Sequence, residues 1–197
     1  MLKIRKTTKS GGLKALESLA KEADGLCADV GITSKSNTKR DNISMAQIAQ
    51  WQERGWTQRV TPKQAGFFRH NFGIALKING VLHLPPRPFL TLTAKKEMPR
   101  WLSLYRQAIT KGKMKPREAL QLVAQEAVTD VRQTILNGGV GGKRFAERAP
   151  MTMEILRQRT KGKRAQPDAG MATTRALFAT GGLFNSISYL IHKRLSR

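Results

Sequence analysis

Apolar residues recur at intervals of three or four along much of this chain, which is the spacing of an amphipathic helix. The longest run begins at Pro116 and ends before Gly138, and it predicts about 22 residues of helix, roughly 33 Å in length. Proline is favoured in the first turn of a helix and glycine directly after the last, so the sequence marks both ends. We expect the other elements to pack on this helix through Leu120, Val123, Ala127, Val131 and Ile135.

A second helix, over residues 43–55, has the clearest local signature. Ser44 is a favoured N-cap, and Gln47 stands three residues later, where its side chain can complete the reciprocal hydrogen bonds of a capping box. Gly55 is expected to end this helix in the left-handed conformation.

Three weaker patterns predict further helices. Leucine and alanine spacing predicts one over residues 13–23, and an apolar stripe predicts another over 101–109, with Pro99 in its first turn. Pro150 is expected to begin a short helix with Thr152 as its N-cap.

Alternating apolar and polar positions predict the strands. Residues 30–32, within a short glycine-bounded run over 26–32, are predicted to be a strand, and residues 187–191 show the alternation of a second one. Asn79-Gly80 is a strong two-residue turn signal, which predicts a hairpin between 74–78 and 81–84.

Together these elements predict an α+β fold in which a small antiparallel or mixed sheet packs against the long helix and two or three shorter helices. We expect one domain over residues 1–197, with extended basic loops and a β-hairpin insertion over 56–84. Residues 1–11 are predicted to be a basic flexible arm. The glycine-rich segment 138–149 and the basic segment 157–175 are predicted to be flexible loops.

A proline-rich segment, residues 84–90, connects the predicted hairpin to the helix that follows. Proline fixes φ and constrains the residue before it to extended geometry, so we expect a stiff strut. Arg87 lies between two prolines and can be aimed at a neighbouring subunit, while Phe89 and Leu90 are expected to anchor the strut in the core. The alternative is a rigid surface connector with two buried residues.

Positive charge dominates the composition, because the chain has 36 lysines and arginines but 13 acidic residues, which gives a formal net charge of +23. Such a chain repels itself unless a nucleic acid, an acidic protein surface or an anionic membrane lies against it. No apolar run is long enough to cross a bilayer, so we expect no membrane partner. The basic clusters are either solvated surface or contacts to DNA phosphates or to an acidic partner. The candidate contact residues are Lys35, Lys39, Arg40, Arg157, Arg159, Lys161, Lys163 and Arg164.

Signals for catalysis are weak, so we expect neither an enzyme nor a cofactor or metal. The single cysteine, Cys27, excludes an internal disulfide framework. The three histidines lack a second ligand at metal spacing, and Glu126 and Asp130 are interpreted as a solvated helix face. The glycine-rich loop is not a phosphate loop, because Asn137 and Arg144 occupy positions that require glycine and a hydroxyl residue.

Residues 30–32, 46–55, 85–90, the long helix, 149–157 and 180–189 form a series of motifs in a fixed order. Together they resemble the small neck, tail-completion and virion-morphogenesis proteins of tailed bacteriophages. The chain departs from that family in two places: Ala179 replaces a frequent acidic residue, and 56–84 is a longer insertion than usual.

The resemblance implies a subunit of a six- or twelve-fold homo-oligomeric ring at the junction between head and tail. Such a ring surrounds double-stranded DNA, contacts neighbouring connector and tail tube proteins, and reaches the virion after assembly in the host cytoplasm. Arg87, Phe89 and Leu90 would then set contacts between copies, and the loops around Lys39 and Lys161 would face DNA or an acidic ring. The alternative is a free, sequence-nonspecific nucleic-acid-binding protein, either ribosome-associated or a packaging accessory, whose binding would fall steeply with salt.

Overall fold

The fold is α+β, as predicted, and the computed structural model describes residues 10–40, 42–160, 177 and 181–194. In that part of the chain the helices are α1 (Ser10–Ala23), α2 (Met45–Arg54), α3 (Pro62–Phe72), α4 (Phe89–Thr110), α5 (Pro116–Asn137), α6 (Pro150–Thr160) and α7 (Gly182–Ser186). The strands are β1 (Leu26–Gly31), β2 (Lys39–Arg40), β3 (Ile43–Ser44), β4 (Trp56–Arg59), β5 (Val81–Leu84), β6 (Gly139–Val140), β7 (Lys143–Arg144) and β8 (Ser188–Lys193). They pair antiparallel as β1 with β8, β2 with β3, β4 with β5 and β6 with β7.

The long helix α5 forms as predicted and carries the core. Pro116 is its first residue, and Gly138 ends it at φ 65° and ψ 27°, where its N–H reaches the carbonyls of Thr134 and Ile135. Helix α4 packs along α5, and the Thr93 hydroxyl lies 2.7 Å from that of Thr134 in the buried contact. Small and β-branched residues line the buried face of α5, namely Ala119, Ala124, Ala127, Val128, Val131 and Ile135.

The β1–β8 ladder also packs against α5, which confirms the two predicted strands and their packing on the long helix. Val30 is opposite Tyr189 in the register. Ile187, directly before β8, is fully buried in one cluster with Phe89 and Ile135. The core therefore joins residues from both halves of the chain.

Helix α4 begins twelve residues before the predicted stripe at Trp101, so Pro99 lies inside the helix and not in its first turn. The early start has a tertiary cause. The Glu53 carboxylate accepts hydrogen bonds from the N–H groups of Leu90 and Thr91, at 3.0 and 2.8 Å, and so caps the helix from α2.

The predicted hairpin between residues 74–78 and 81–84 is wrong. Strand β5 pairs instead with β4, and helix α3 lies between the two strands. The ladder extends past β4, because Val60 N–H donates to Gly80 O at 2.8 Å and Asn79 N–H to Val60 O at 2.9 Å. The turn at Asn79 is real, with φ 63°, but it returns the chain toward β4.

Two segments predicted to be flexible loops contain regular structure. Residues 139–144 form the β6–β7 hairpin, with Gly141 and Gly142 at φ 57° and 81° in its turn. Helix α6 begins at Pro150, places Thr152 inside the helix and continues to Thr160, so residues 157–160 are helical. Residues 1–9 of the predicted arm and 161–175 of the second loop lie outside the described residues.

Candidate functional site

The Arg87 side chain lies inside the fold, with 2% of its surface exposed. Its Nε donates to Ala146 O at 2.8 Å, Nη1 to Gln52 Oε1 at 2.9 Å and Nη2 to Glu147 O at 2.8 Å. Its backbone N–H donates to Gln52 O at 2.6 Å. The planar guanidinium therefore connects the strut to α2 and to the segment that precedes α6.

The strut can lie this close to α2 because residue 55 is glycine. A Cβ on Gly55 would stand 2.9 Å from Leu84 O and 3.0 Å from Pro86, at a φ of +75° that disfavours any other residue. The prediction of a left-handed stop at Gly55 is wrong, because its ψ is 174°. Glycine is needed here for a close backbone approach.

The three strut residues are all used within one chain. Phe89 is fully buried, Leu90 packs partly buried against the core, and Arg87 makes the bonds described above. The anchoring of Phe89 and Leu90 is thus confirmed. A contact between copies through Arg87 or Phe89 would require the strut to leave its place.

A groove of about 520 Å³ lies beside the strut, between α2, the β4–β5 ladder, α3 and α6. Its lining is mostly apolar and includes Trp56, Phe68, Leu82, Met151 and Ile155, together with Arg87 and Arg148. A concave apolar surface with a few polar groups is the usual form of a binding site. We call this feature the strut groove.

Two arginines give the strut groove a positive charge. Burial lowers the pKa of Arg87, and repulsion from the charge of Arg148 lowers it further. Burial also lowers the pKa of Arg148. An arginine with a lowered pKa is still protonated near neutral pH, so Arg87 and Arg148 both remain charged. The protein solvates these two charges less well than water would.

Aromatic side chains are exposed on α2, β4 and α3, the elements around the strut groove. The rings of Trp51 and Trp56 lie 6.4 Å apart, and both residues are more than one third exposed. On α3, which has no fully buried residue, Phe67 is 53% exposed and makes edge contacts with Phe68 and Phe72. Such groups are unusually apolar for a surface and are frequent at protein interfaces.

The predicted basic contacts are described only in part. Lys35 and Lys39 are exposed between β1 and α2, and Arg40 belongs to β2. Arg157 and Arg159 belong to α6 by their backbone, and the side chains of these two residues and of Arg40 lie outside the described part. The remaining candidates, Lys161, Lys163 and Arg164, lie outside the described residues altogether.

Sequence reasoning missed a third basic cluster, in the turn between α4 and α5. Four exposed cations stand there within seven residues, and Lys113 holds the turn at φ 51°. Their spacing at every second residue is visible in the sequence. We call this cluster the α4–α5 tip, formed by Lys111, Lys113, Lys115 and Arg117.

Glu126 and Asp130 do more than form a solvated helix face, because both bind Arg100 on α4. Asp130 also accepts a hydrogen bond from Trp101 Nε1 at 2.7 Å. Hydrogen bonds to Glu126 and Glu97 raise the pKa of Arg100. This cluster stabilises the α4–α5 pair.

Within residues 10–40, 42–160, 177 and 181–194, no three histidine, cysteine or acidic side chains lie close enough together to hold a metal ion. His83 Nδ1 lies 2.9 Å from the Thr57 hydroxyl, and His192 pairs with Asp29 at 3.3 Å. None of the described helices combines the length and apolar character needed to span a membrane.

Comparison with known proteins adds no relative, since no family model, no curated protein and no solved structure matches the chain. The functional interpretation therefore depends on the geometry and charge of the chain and on the order of its sequence motifs.

Proposed function

We propose that this chain is a structural, non-enzymatic subunit of the head-to-tail neck of a tailed bacteriophage, in a ring that completes or terminates the tail. The observation that carries the proposal is the meeting of separate motifs at Arg87. Arg87 of the 85–90 motif bonds to Gln52 of the 46–55 motif and also to Ala146 and Glu147, just before the 149–157 motif. Motifs that give the resemblance through their order thus belong to one connected structural unit.

The charge of the chain supports DNA as the polyanion within the ring. With a net charge of +23, several copies side by side would repel each other unless phosphates lie between them. The α4–α5 tip, together with Lys35 and with Lys39 at the start of β2, offers exposed cations for such contacts. They would bind phosphates irrespective of sequence.

Electron microscopy of reconstituted particles tests this proposal. Purified protein is mixed with its connector and tail partners, and the added density is located by imaging. We expect a ring at the junction of head and tail, with copies arranged head to tail around the channel. A protein that stays off the particles would refute the proposal.

A free nucleic-acid-binding protein is the second candidate, because the charge surplus favours it directly. It predicts a monomer in the presence of DNA, with log K falling against log salt at a slope of about 0.9 per phosphate contacted. The neck subunit is expected to bind free DNA weakly and to oligomerise on its particle partners. Mass measurement with and without those partners separates the two candidates.

A further inference from the structure

The insertion over residues 56–84 takes little part in the core. The structure describes all of its residues, and Val60 is the one buried residue among them. Helix α3 is instead stabilised at its ends: a capping box begins it, and the N–H of Gly73 reaches the carbonyls of Phe68 and Arg69. The outer face of α3 is therefore open to a partner.

Four aromatic side chains lie in or beside the strut groove. Trp51, Trp56 and Phe68 line it, and the Phe67 ring lies against that of Phe68, with centroids 5.8 Å apart. Phe67 is 53% exposed, and both tryptophans are more than one third exposed. Flat rings with exposed faces can accept another flat ring on them.

The insertion carries only positive charge. No aspartate or glutamate occurs from residue 54 to residue 96. Four exposed cations lie within the insertion, namely Arg59, Lys63, Arg69 and Lys77. In the described part of the chain, none of the four has a carboxylate partner. A phosphate would therefore meet cations that are not already neutralised.

One face of α3 combines a ring with polar groups. Residues three and four positions apart are neighbours on a helix surface, so Lys63 and His70 flank the exposed ring of Phe67. A helix that lies in a membrane surface keeps its apolar and charged residues on opposite faces. A cation beside an exposed ring is instead typical of surfaces that stack bases and bind the adjacent phosphates.

We propose that this surface binds single-stranded nucleic acid without sequence preference. Bases stack on Phe67 and on the pair formed by Trp51 and Trp56, while Lys63 and the other cations of the insertion contact phosphates. A duplex cannot bind in this way, because its base faces are covered by neighbouring bases. This inference goes beyond the neck proposal, which concerns duplex DNA, and does not depend on it.

Fluorescence anisotropy of a labelled oligothymidylate of about twelve nucleotides tests the proposal on the full chain. The titration is made at about 0.2 M salt, where contacts to phosphate alone are weakened. Phe67→Ala, Phe67→Leu and Trp56→Ala should each weaken binding about fivefold or more, because each removes a flat ring. Phe67→Tyr keeps the ring and should stay within about twofold of the wild type. Binding of a duplex of the same length should change less than about twofold in all four variants.

Two matched controls separate stacking from general effects of surface substitution. Leu102→Ala truncates an apolar side chain on α4 that is 55% exposed, and it should leave binding of the oligothymidylate within about twofold. Lys63→Met should reduce the slope of log K against log salt by about 0.7, the value for one phosphate of a single strand. Arg106→Met, which removes an exposed positive charge from α4, should leave that slope unchanged.

Several results would overturn the proposal. They are binding of the oligothymidylate that Phe67→Ala and Trp56→Ala leave unchanged, full binding by Phe67→Leu, or an equal loss of duplex binding. Vesicles with anionic lipid that displace the oligothymidylate and still bind Phe67→Leu would assign the surface to a membrane instead. Circular dichroism confirms that each variant is folded. The neck proposal is tested on particles, so either proposal can fail without the other.

Discussion

Replacing Arg87 by methionine removes the connection between the strut, α2 and the segment before α6 while keeping an unbranched side chain of similar length. Three hydrogen bonds from a charged donor are lost at once. Hydrogen bonds to charged groups contribute about 1.5–3 kcal/mol each, so the gross loss is large.

Two effects offset part of that loss. Ala146 and Glu147 are exposed residues, so their carbonyls can bond to water in the variant, whereas the half-buried Gln52 is less able to do so. Methionine also avoids the cost of burying a charge and removes the repulsion from Arg148. We therefore expect a net loss of about 2–4 kcal/mol in the free energy of unfolding.

Urea unfolding followed by tryptophan fluorescence and circular dichroism measures this loss. With a slope of about 2 kcal/mol per molar urea, the midpoint should fall by about 1–2 M. Arg87→Lys keeps the charge but not the planar fork, so it should lose most of the same stability. Arg106→Met should stay within about 0.5 kcal/mol of the wild type. If Arg87→Met does the same, the guanidinium does not hold these segments together.

Three further predictions follow from the same contacts. Gly55→Ala should destabilise the protein by about 1–3 kcal/mol, because residue 55 has a positive φ and the strut lies close to it. Gly66→Ala should stabilise the protein by about 0.5–1 kcal/mol, because Gly66 lies in a helix with open space around it. Thermal melts compare the two variants, and a change of stability in the same direction for both would contradict the geometry. Glu53→Ala should lower the free energy of unfolding by about 1–2 kcal/mol, because it removes the cap of α4. Amide hydrogen exchange in the first turn of α4 should become faster, and unchanged exchange would disprove the cap. A hydrogen bond from Arg100 lowers the pKa of Glu97 below its usual value of 4.5. The stability that this pair adds is therefore fully present above pH 4.5, and it is lost as the pH falls through the lowered pKa. The stability difference between wild type and Glu97→Gln should therefore shrink in acid, and a difference that is constant with pH would exclude the pair.

Local sequence signals predicted the elements whose ends are set locally. The capping box at Ser44 and Gln47 forms as predicted, and so does α5 between its proline and glycine. The same signal was present and overlooked at Thr61 and Gln64, whose capping box begins α3.

Contacts between distant segments explain the remaining errors. The start of α4 depends on a carboxylate in α2, and the turn at Asn79 pairs β5 with a strand that precedes α3. The strut groove combines side chains from five helices and strands and from the strut, so no window of sequence displays it. The burial of Arg87 was missed for a similar reason, since its acceptors lie 35, 59 and 60 residues away.

The pairing of β1 with β8 has a consequence for biosynthesis. The hydroxyl of Thr33, just after β1, lies 2.8 Å from that of Ser188, the first residue of β8, although the two are 155 positions apart in the sequence. At ribosomal rates of about 5–20 residues per second, the first strand waits roughly 10–30 s for its partner to be made. During that interval its edge is open to other nascent chains, so slower initiation, which lowers the number of such chains, should raise the yield of soluble product.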